Sequence, residues 1–464
     1  MGEFLLEDTI AAIATALGEG GIGVVRVSGP LASTIGQRIF RTGHERPVEF
    51  ARRRGFFYGR LLARDEQSSV DECILLWMPG PHSYTGEDVV EFQVHGGIRV
   101  VQSALAVILE KGARLAEPGE FTRRAFLNGR MDLSQAEAVM DLIRAKTDLA
   151  ARVAFSQVEG SLSREIGNLR RQVLELQAEL AVTLDYPEHD DEIEVAKSLV
   201  LRGQALLMRM QDVLDNAKTG VVVREGVLTP LIGQPNVGKS SLLNELLRRQ
   251  RAIVTEIPGT TRDVLEESVD LGGVLFRLVD TAGIRETKDR LEQLGVERSR
   301  AAVHSGELIL LVLDGSRELE TDDLQLLTDT ANRSRIVVVN KADLAQQITD
   351  EKLVDICGRT SWVRVSATTG EGLSGLRDLL IKTVLGGDIE QVEPSFLTNA
   401  RQTQLLLQAR EDLATAISAA QAGLTLDVVA VLLQSVYALL GLVVGAEAGE
   451  DLLDEVFSRF CLGK

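Results

Sequence analysis

Residues Gly233, Gln234, Pro235, Asn236, Val237, Gly238, Lys239 and Ser240 follow an apolar run at 228–232 and precede a helix-period stretch at 241–249. Glycines in such a loop let backbone N–H groups turn toward phosphate oxygens, and the helix behind it offers the positive end of its dipole. Lys239 is then set to bridge the β- and γ-phosphates of a nucleoside triphosphate and the Ser240 hydroxyl to ligate Mg²⁺. Asn236, Val237, Gly238 and Ser241 line the same phosphates.

Four more motifs follow in order. Gly259, Thr260 and Thr261, with Arg262 and Asp263, occupy a polar stretch suited to a switch loop, in which Thr261 donates its hydroxyl to Mg²⁺ and its N–H to the γ-phosphate; Thr255, Glu256, Ile257 and Pro258 just before it join the candidate nucleotide contacts. Asp280, Thr281, Ala282 and Gly283 close the next apolar run, with Asp280 holding Mg²⁺ through water and the Gly283 N–H facing the γ-phosphate. Asn340, Lys341, Ala342 and Asp343 end a third run, and a carboxylate at 343 accepts two hydrogen bonds from guanine N1 and N2. Adenine lacks that donor pair and would leave the carboxylate unpaired, so Asp343 selects GTP over ATP. Ser366 and Ala367, with Thr368, complete the base pocket. The hydrolytic residue is less legible, because Ile284 stands where Ras-like proteins carry a water-orienting Gln. Downstream, Glu286, Asp289, Glu292 and Glu297 are all available, and spacing does not choose among them.

The elements that position these motifs alternate between strand and helix from 227 to 386, as in a parallel sheet with right-handed crossovers. Strands are expected at 228–232, 275–280, 308–314, 336–340 and 363–366. Before this segment lie an α+β block, with strands at 23–27 and 73–78 and a helix at 100–111, and long helix-period stretches at 131–218. Helical patterning resumes after Pro394. A P-loop domain is therefore inserted into a helical domain, with boundaries at 1–129 for the N-terminal domain, 130–223 and 389–464 for the two helical halves, and 224–388 for the insert.

Composition narrows the function further. A net charge of −18 has the wrong sign for a protein that coats nucleic acid with its whole surface, so any RNA contact is local. Candidate patches are Arg52–Arg53–Arg54, Arg123–Arg124 and Arg248–Arg249–Arg251, for each of which solvated surface charge is the plainer reading. Cys73, Cys357 and Cys461 form no paired spacing, which fits a reducing cytoplasm rather than a disulfide scaffold. The acidic run at 188–194 reads as an inter-helix loop rather than a metal site. Residues 428–445 lack charge and approach the length of a membrane span, yet no basic cluster flanks them and Gly441 and Gly445 suit packing inside a bundle.

The chain as a whole resembles the MnmE or TrmE family of tRNA modification GTPases. The resemblance rests on Gly20–Arg26, Tyr84–Asp88, Glu117–Thr122 with Ala125–Asn128, the nucleotide motifs, and the terminal Phe460–Lys464. It implies a multidomain fold: an α+β tetrahydrofolate-binding and dimerisation domain, a discontinuous helical domain and an inserted α/β P-loop GTPase domain. It implies that Arg26, Glu91, Arg130 and Lys464 contact a tetrahydrofolate derivative, and an Arg at 130 departs from the Lys common there. It implies K⁺ coordination by Asn236, Thr255, Ile257 and Thr260, catalysis by Glu292 as the residue that orients water, and a cytoplasmic homodimer. Work with a separate FAD-binding protein on carbon 5 of the wobble uridine of tRNA follows from the same resemblance. Cys461 is left without a role. Two other readings compete: a GTP-dependent switch in RNA or ribosome assembly, and a folate-dependent aminomethyltransferase with a regulatory GTPase.

Overall fold

Alternating burial along the first 130 residues builds a twisted sheet. The computed structural model describes residues 8–43, 46–186, 192–249, 266–280, 307–358, 360–386, 397–446 and 448–464. It comprises two units, Met1–Met140 with Gly441–Lys464, and Asp141–Leu440.

In the first unit the order is β1 (Ile10–Ile13), β2 (Gly20–Ser28), α1 (Ala32–Ile39), β3 (Phe40–Thr42), β4 (Gly55–Leu62), β5 (Ser69–Met78), β6 (Val89–Gly96), α2 (Ile98–Glu110), β7 (Arg114–Leu115), α3 (Glu120–Leu127) and α4 (Leu133–Arg144). The sheet runs β3-β4-β5-β6-β2-β1-β7, antiparallel except where β7 joins β1. Helices α1 and α2 cover one face, burying Ile35, Ile39 and Ile108 against Leu61, Leu75 and Phe92. On the other face Phe56, Tyr58 and Ile74 are exposed. Strand β5 begins four residues before the apolar run at 73–78, because Ser69–Asp71 extends the β4 ladder through its polar start.

The second unit starts as a helical bundle of α5 (Asp148–Val158), α6 (Ser161–Asp185), α7 (Glu192–Asp215) and α8 (Ala217–Glu225). Leu162, Ile166, Leu169, Val173, Leu176 and Leu180 recur every three or four positions along α6 and form its buried stripe. The chain then enters a second sheet through β8 (Val227–Ile232), α9 (Lys239–Arg249), β9 (Glu266–Leu271), β10 (Val274–Asp280), β11 (Ile309–Asp314), α10 (Thr321–Asp329), β12 (Arg335–Asn340), α11 (Asp350–Cys357), β13 (Trp362–Arg364) and α12 (Leu373–Leu385). Its order is β13-β12-β11-β8-β10-β9. Every pairing is parallel except β9 with β10. Strand β9 goes beyond the expected set: its sequence, Glu266, Glu267, Ser268 and Asp270 around the buried Val269 and Leu271, holds no apolar run. The last strand stops at Arg364 rather than 366, and Ser366 begins a turn in which its N–H donates to the Glu371 carbonyl.

Helix α13 (Ala400–Gln421) then packs along α7, with Ile417 filling the space above Gly203. Arg224 joins the two ends of the insertion: its Nε donates to Asp141 at 2.8 Å and its Nη1 to the Thr398 carbonyl at 3.1 Å. Helix α14 (Leu426–Val444) is long and apolar enough to cross a membrane by length and composition. Its Val429, Leu433, Val436, Leu440 and Val443 are nonetheless buried at helical spacing, as in a bundle helix. Finally α15 (Glu450–Ser458) belongs to the first unit, where Leu453, Phe457 and Phe460 pack on Leu133, Ala136 and Met140.

Candidate functional site

The loop between β8 and α9 curls around its own lysine. Helix α9 starts at Lys239, two residues before the expected 241, so the Lys239 and Ser240 amides lie in its first turn, where N–H groups have no helical partner. Lys239 Nζ donates to the Gly233 and Gln234 carbonyls at 2.8 and 2.9 Å. Burial lowers its pKa, and the charge of Asp280 opposes that shift. An anion arriving at this loop meets a desolvated ammonium, where a counter-charge counts for more than in water.

Asn236 holds φ of 64° and Gly238 of 98°. A Cβ on Gly238 would come 2.2 Å from Asn340 Nδ2, so only glycine lets the loop approach that side chain. Asn340 is a strut: its Nδ2 donates to the Val237 carbonyl at 2.8 Å, and its Oδ1 accepts from the Ala367 N–H at 3.0 Å. A single buried amide thereby joins the phosphate loop to the turn after β13. Lys341, at φ of 66°, donates to Asp314 at 2.6 Å. Burial alone would raise the Asp314 pKa, but Lys341 and Ser316 hold it below the usual carboxylate range. Asp343 is left exposed beside these residues, and Ser366 is buried, accepting from the Thr369 N–H at 3.1 Å.

Ser240 Oγ donates to Asp280 Oδ2 at 2.7 Å, so the two oxygen donors expected around Mg²⁺ are already neighbours. Hard oxygen ligands of this kind suit Mg²⁺, which keeps waters and takes few protein donors. Ser241 follows in the first turn of α9. Of the residues assigned to the nucleotide by sequence, Thr255, Glu256, Ile257, Pro258, Gly259, Thr260, Thr261, Thr281, Ala282 and Gly283 lie outside the described residues, as does Glu292.

A second polar cluster occupies the open face of the first sheet. Arg26 Nε donates to Glu91 Oε1 at 2.6 Å, from directly opposing positions on β2 and β6. The Arg26 guanidinium lies 5.3 Å from the Tyr84 ring centre and 5.6 Å from that of Phe121. Lys464 is half-buried beside them; burial and Arg26 lower its pKa, and Glu91 opposes the shift. Arg130 Nε donates to the Ser83 carbonyl at 3.1 Å, next to Tyr84. Two backbone bonds hold the end of the chain here, from Gly119 N–H to the Cys461 carbonyl and from Phe121 N–H to the Lys464 carbonyl. The four residues that the family resemblance assigns to folate thus share one neighbourhood, and Tyr84 and Phe121 join them as aromatic walls. Only the position of Tyr84 inside a quoted motif pointed to it. Cys461 is exposed, whereas Cys73 is buried and its thiol pushed up to about 12.

Of the arginine patches, Arg123 and Arg124 are not a surface. Arg123 pairs with Asp454, and Arg124 is buried among Asp8, Glu87 and Glu120. Arg248 is exposed beside Glu245, the Arg249 side chain and Arg251 lie outside the described residues, and Arg52, Arg53 and Arg54 are exposed. Residues 188–191 of the acidic run also fall outside.

The family model for the MnmE helical domain matches residues 133–461, and that for the GTP-binding protein TrmE N-terminus matches 9–130. The tRNA modification GTPase MnmE of Clostridioides difficile (strain 630) is 45% identical over 99% of this chain and 100% of its own length. The protein of the same name from Alkaliphilus metalliredigens (strain QYMF) is 42% identical over the same shares. That from Shouchella clausii (strain KSM-K16) is 45% identical over 98% of this chain and 99% of its own.

Proposed function

Since the chain belongs to the MnmE family of tRNA modification GTPases, we propose that it hydrolyses GTP to GDP and phosphate and couples the cycle to modification of tRNA. The observation that carries this reading is the Asn340 strut, which brings the phosphate loop and the base-pocket turn onto one buried side chain. Lys239 would then neutralise the β- and γ-phosphates, Ser240 and Thr261 would ligate Mg²⁺ with Asp280 reaching it through water, and Asp343 would read the guanine edge. Thr261 and Gly283 follow the γ-phosphate, and Glu292 orients the attacking water.

The finer assignments rest on the motif matches. Asn236, Thr255, Ile257 and Thr260 would hold K⁺, which neutralises transition-state charge in the place of an arginine finger. Arg26, Glu91, Arg130 and Lys464 would hold a tetrahydrofolate derivative, whose carboxylates call for Arg or Lys and whose polar ring calls for a carboxylate. The substrate atom would be carbon 5 of the wobble uridine, with redox chemistry supplied by a separate FAD-binding protein in the cytoplasm. The domain boundaries at 129, 223 and 388 belong to this proposal. So does a homodimer built on the first sheet. Phe56, Leu76, Glu91 and Arg26 stand in one cross-strand row, so a second copy covering the exposed Phe56 would also wall the folate cluster.

The test has two parts. Hydrolysis is expected to rise sharply in K⁺ over Na⁺, and Glu292→Ala to abolish turnover while nucleotide still binds; full turnover in that variant removes Glu292 from the mechanism. Mass spectrometry of tRNA nucleosides from cells lacking the chain is expected to show unmodified wobble uridines. Unchanged uridines, together with no affinity for 5-formyl-tetrahydrofolate, would favour the assembly-switch reading.

A further inference from the structure

We propose that the β3–β4 edge of the first sheet is a docking surface for the phosphate backbone of RNA. The proposal rests on the tRNA-modifying reading above and adds to it where the substrate is held. Between Arg38 and Arg64 the sequence carries eight arginines against two glutamates, a local excess of +6 in a chain whose total is −18. The fold offsets part of this excess, since Arg64 pairs with Glu110 and Arg60 stands opposite Glu72, and leaves Arg46, Arg52 and Arg53 as the cations of the rim. Strand β3 ends the sheet, and Arg41 stands directly opposite Arg60 on β4. The chain after β3 folds back on that strand, with Arg46 receiving the Thr42 N–H on its carbonyl and Pro47 bridging to Arg41.

The following segment is built rather than loose. Phe50 stacks on Trp77 with ring centres 4.6 Å apart, and Trp77 Nε1 donates to the Ala51 carbonyl at 2.8 Å. Arg54 Nε then donates to the His82 carbonyl at 3.0 Å, which fixes the loop at its far end. Arg46, Arg52 and Arg53 are exposed, and among the described residues no carboxylate pairs with them. From Gly59, the partner of Thr42, to Gly55 is a run of about 13 Å at roughly 3.3 Å per residue. The rim thus presents two groups of cations, one by Arg46 and one by Arg52 and Arg53, anchored at both ends.

Charge decides the occupant. Three exposed arginines with no paired carboxylate among the described residues match a regularly spaced polyanion, since phosphate neutralisation with counterion release needs positive charge and little shape. Arg123 and Arg124, the other patch in this unit, are already consumed by internal carboxylates, which leaves this rim to do the work.

The experiment measures binding of the full chain to an unmodified tRNA transcript by fluorescence anisotropy across a salt series. The triple variant R46E/R52E/R53E is expected to weaken binding by about tenfold or more and to make the salt slope shallower by roughly three. The lysine triple should retain both, because charge rather than guanidinium geometry is used. GTP hydrolysis and thermal stability should stay unchanged in both variants. Equal affinity and slope in the glutamate triple would overturn the proposal, as would loss of a protein partner with tRNA affinity intact. Absence of any tRNA binding by the unaltered chain would overturn it too; the tRNA-modifying reading would then stand or fall separately on the wobble-uridine mass spectrometry.

Discussion

At the scale of single residues, Asp343 and Asn340 take different places in the proposed base pocket. Asn340 is buried and holds two loops together, whereas Asp343 is exposed and has its carboxylate free to meet a ligand. Replacing Asp343 by Asn swaps one acceptor oxygen for an N–H donor and removes the charge. GTP affinity is expected to fall by roughly 10- to 100-fold, the scale of losing charge-assisted hydrogen bonds of about 1.5–3 kcal/mol. Xanthosine triphosphate, which carries a carbonyl where guanine carries its amino group, should bind the variant better than GTP does. Competition calorimetry with both nucleotides checks this, and undiminished GTP affinity would count against the pocket. These residues were legible in sequence because each motif sits at the carboxyl end of an apolar run. The Lys341–Asp314 pair and the aromatic walls around Arg26 were not, since their partners lie 27 to 95 positions apart and no spacing rule joins them.

At the scale of elements, a buried ionic knot locks helix α3 to the first sheet. Arg124, 3% exposed, reaches Asp8, Glu87 and Glu120, and Arg114 reaches Asp8 and Glu120 from β7. Cutting Arg124 takes the arginine from Glu87 and one of two from Asp8 and Glu120, so Arg124→Ala is expected to lower stability by up to about 3 kcal/mol, read from the denaturant midpoint. The knot also sets an acid limit. Burial by itself raises the carboxyls of Asp8 and Glu120, but hydrogen bonds from Arg124 and Arg114 outweigh it and hold both below their ordinary values of 3.8 and 4.5. A carboxyl whose folded pKa is depressed stabilises the fold fully above its unfolded value and loses that contribution as pH falls through the folded one. Unfolding midpoints should therefore decline as pH drops below about 4, and less steeply in the Arg124→Ala variant. None of this was visible in the sequence, where Arg123–Arg124 reads as a surface patch. Strand β9 escaped for a related reason: an edge strand with one wet face needs only Val269 and Leu271 inside, and its carboxylates hide the period.

At the scale of the whole molecule, the outer face of the first sheet sets what remains to be covered. Phe56 is 77% and Tyr58 63% exposed, on successive outward positions of β4, with Ile74 opposite Tyr58 on β5. Exposed aromatics grouped on one face of a sheet mark an interface more often than a solvent surface. A second copy is the economical partner, because a two-fold contact uses the same patch twice and closes on itself. It would also bring apolar surface toward Arg26 and Glu91, a pair already only 15% and 13% exposed. Phe56→Glu with Tyr58→Glu is therefore expected to shift the chain from dimer to monomer in sedimentation velocity and to weaken 5-formyl-tetrahydrofolate binding in parallel. Basal nucleotide affinity should be untouched, since Lys239, Asn340 and Asp343 belong to the other unit. A variant that stays dimeric assigns the interface elsewhere, and one that becomes monomeric with full folate affinity separates the folate cluster from the dimer.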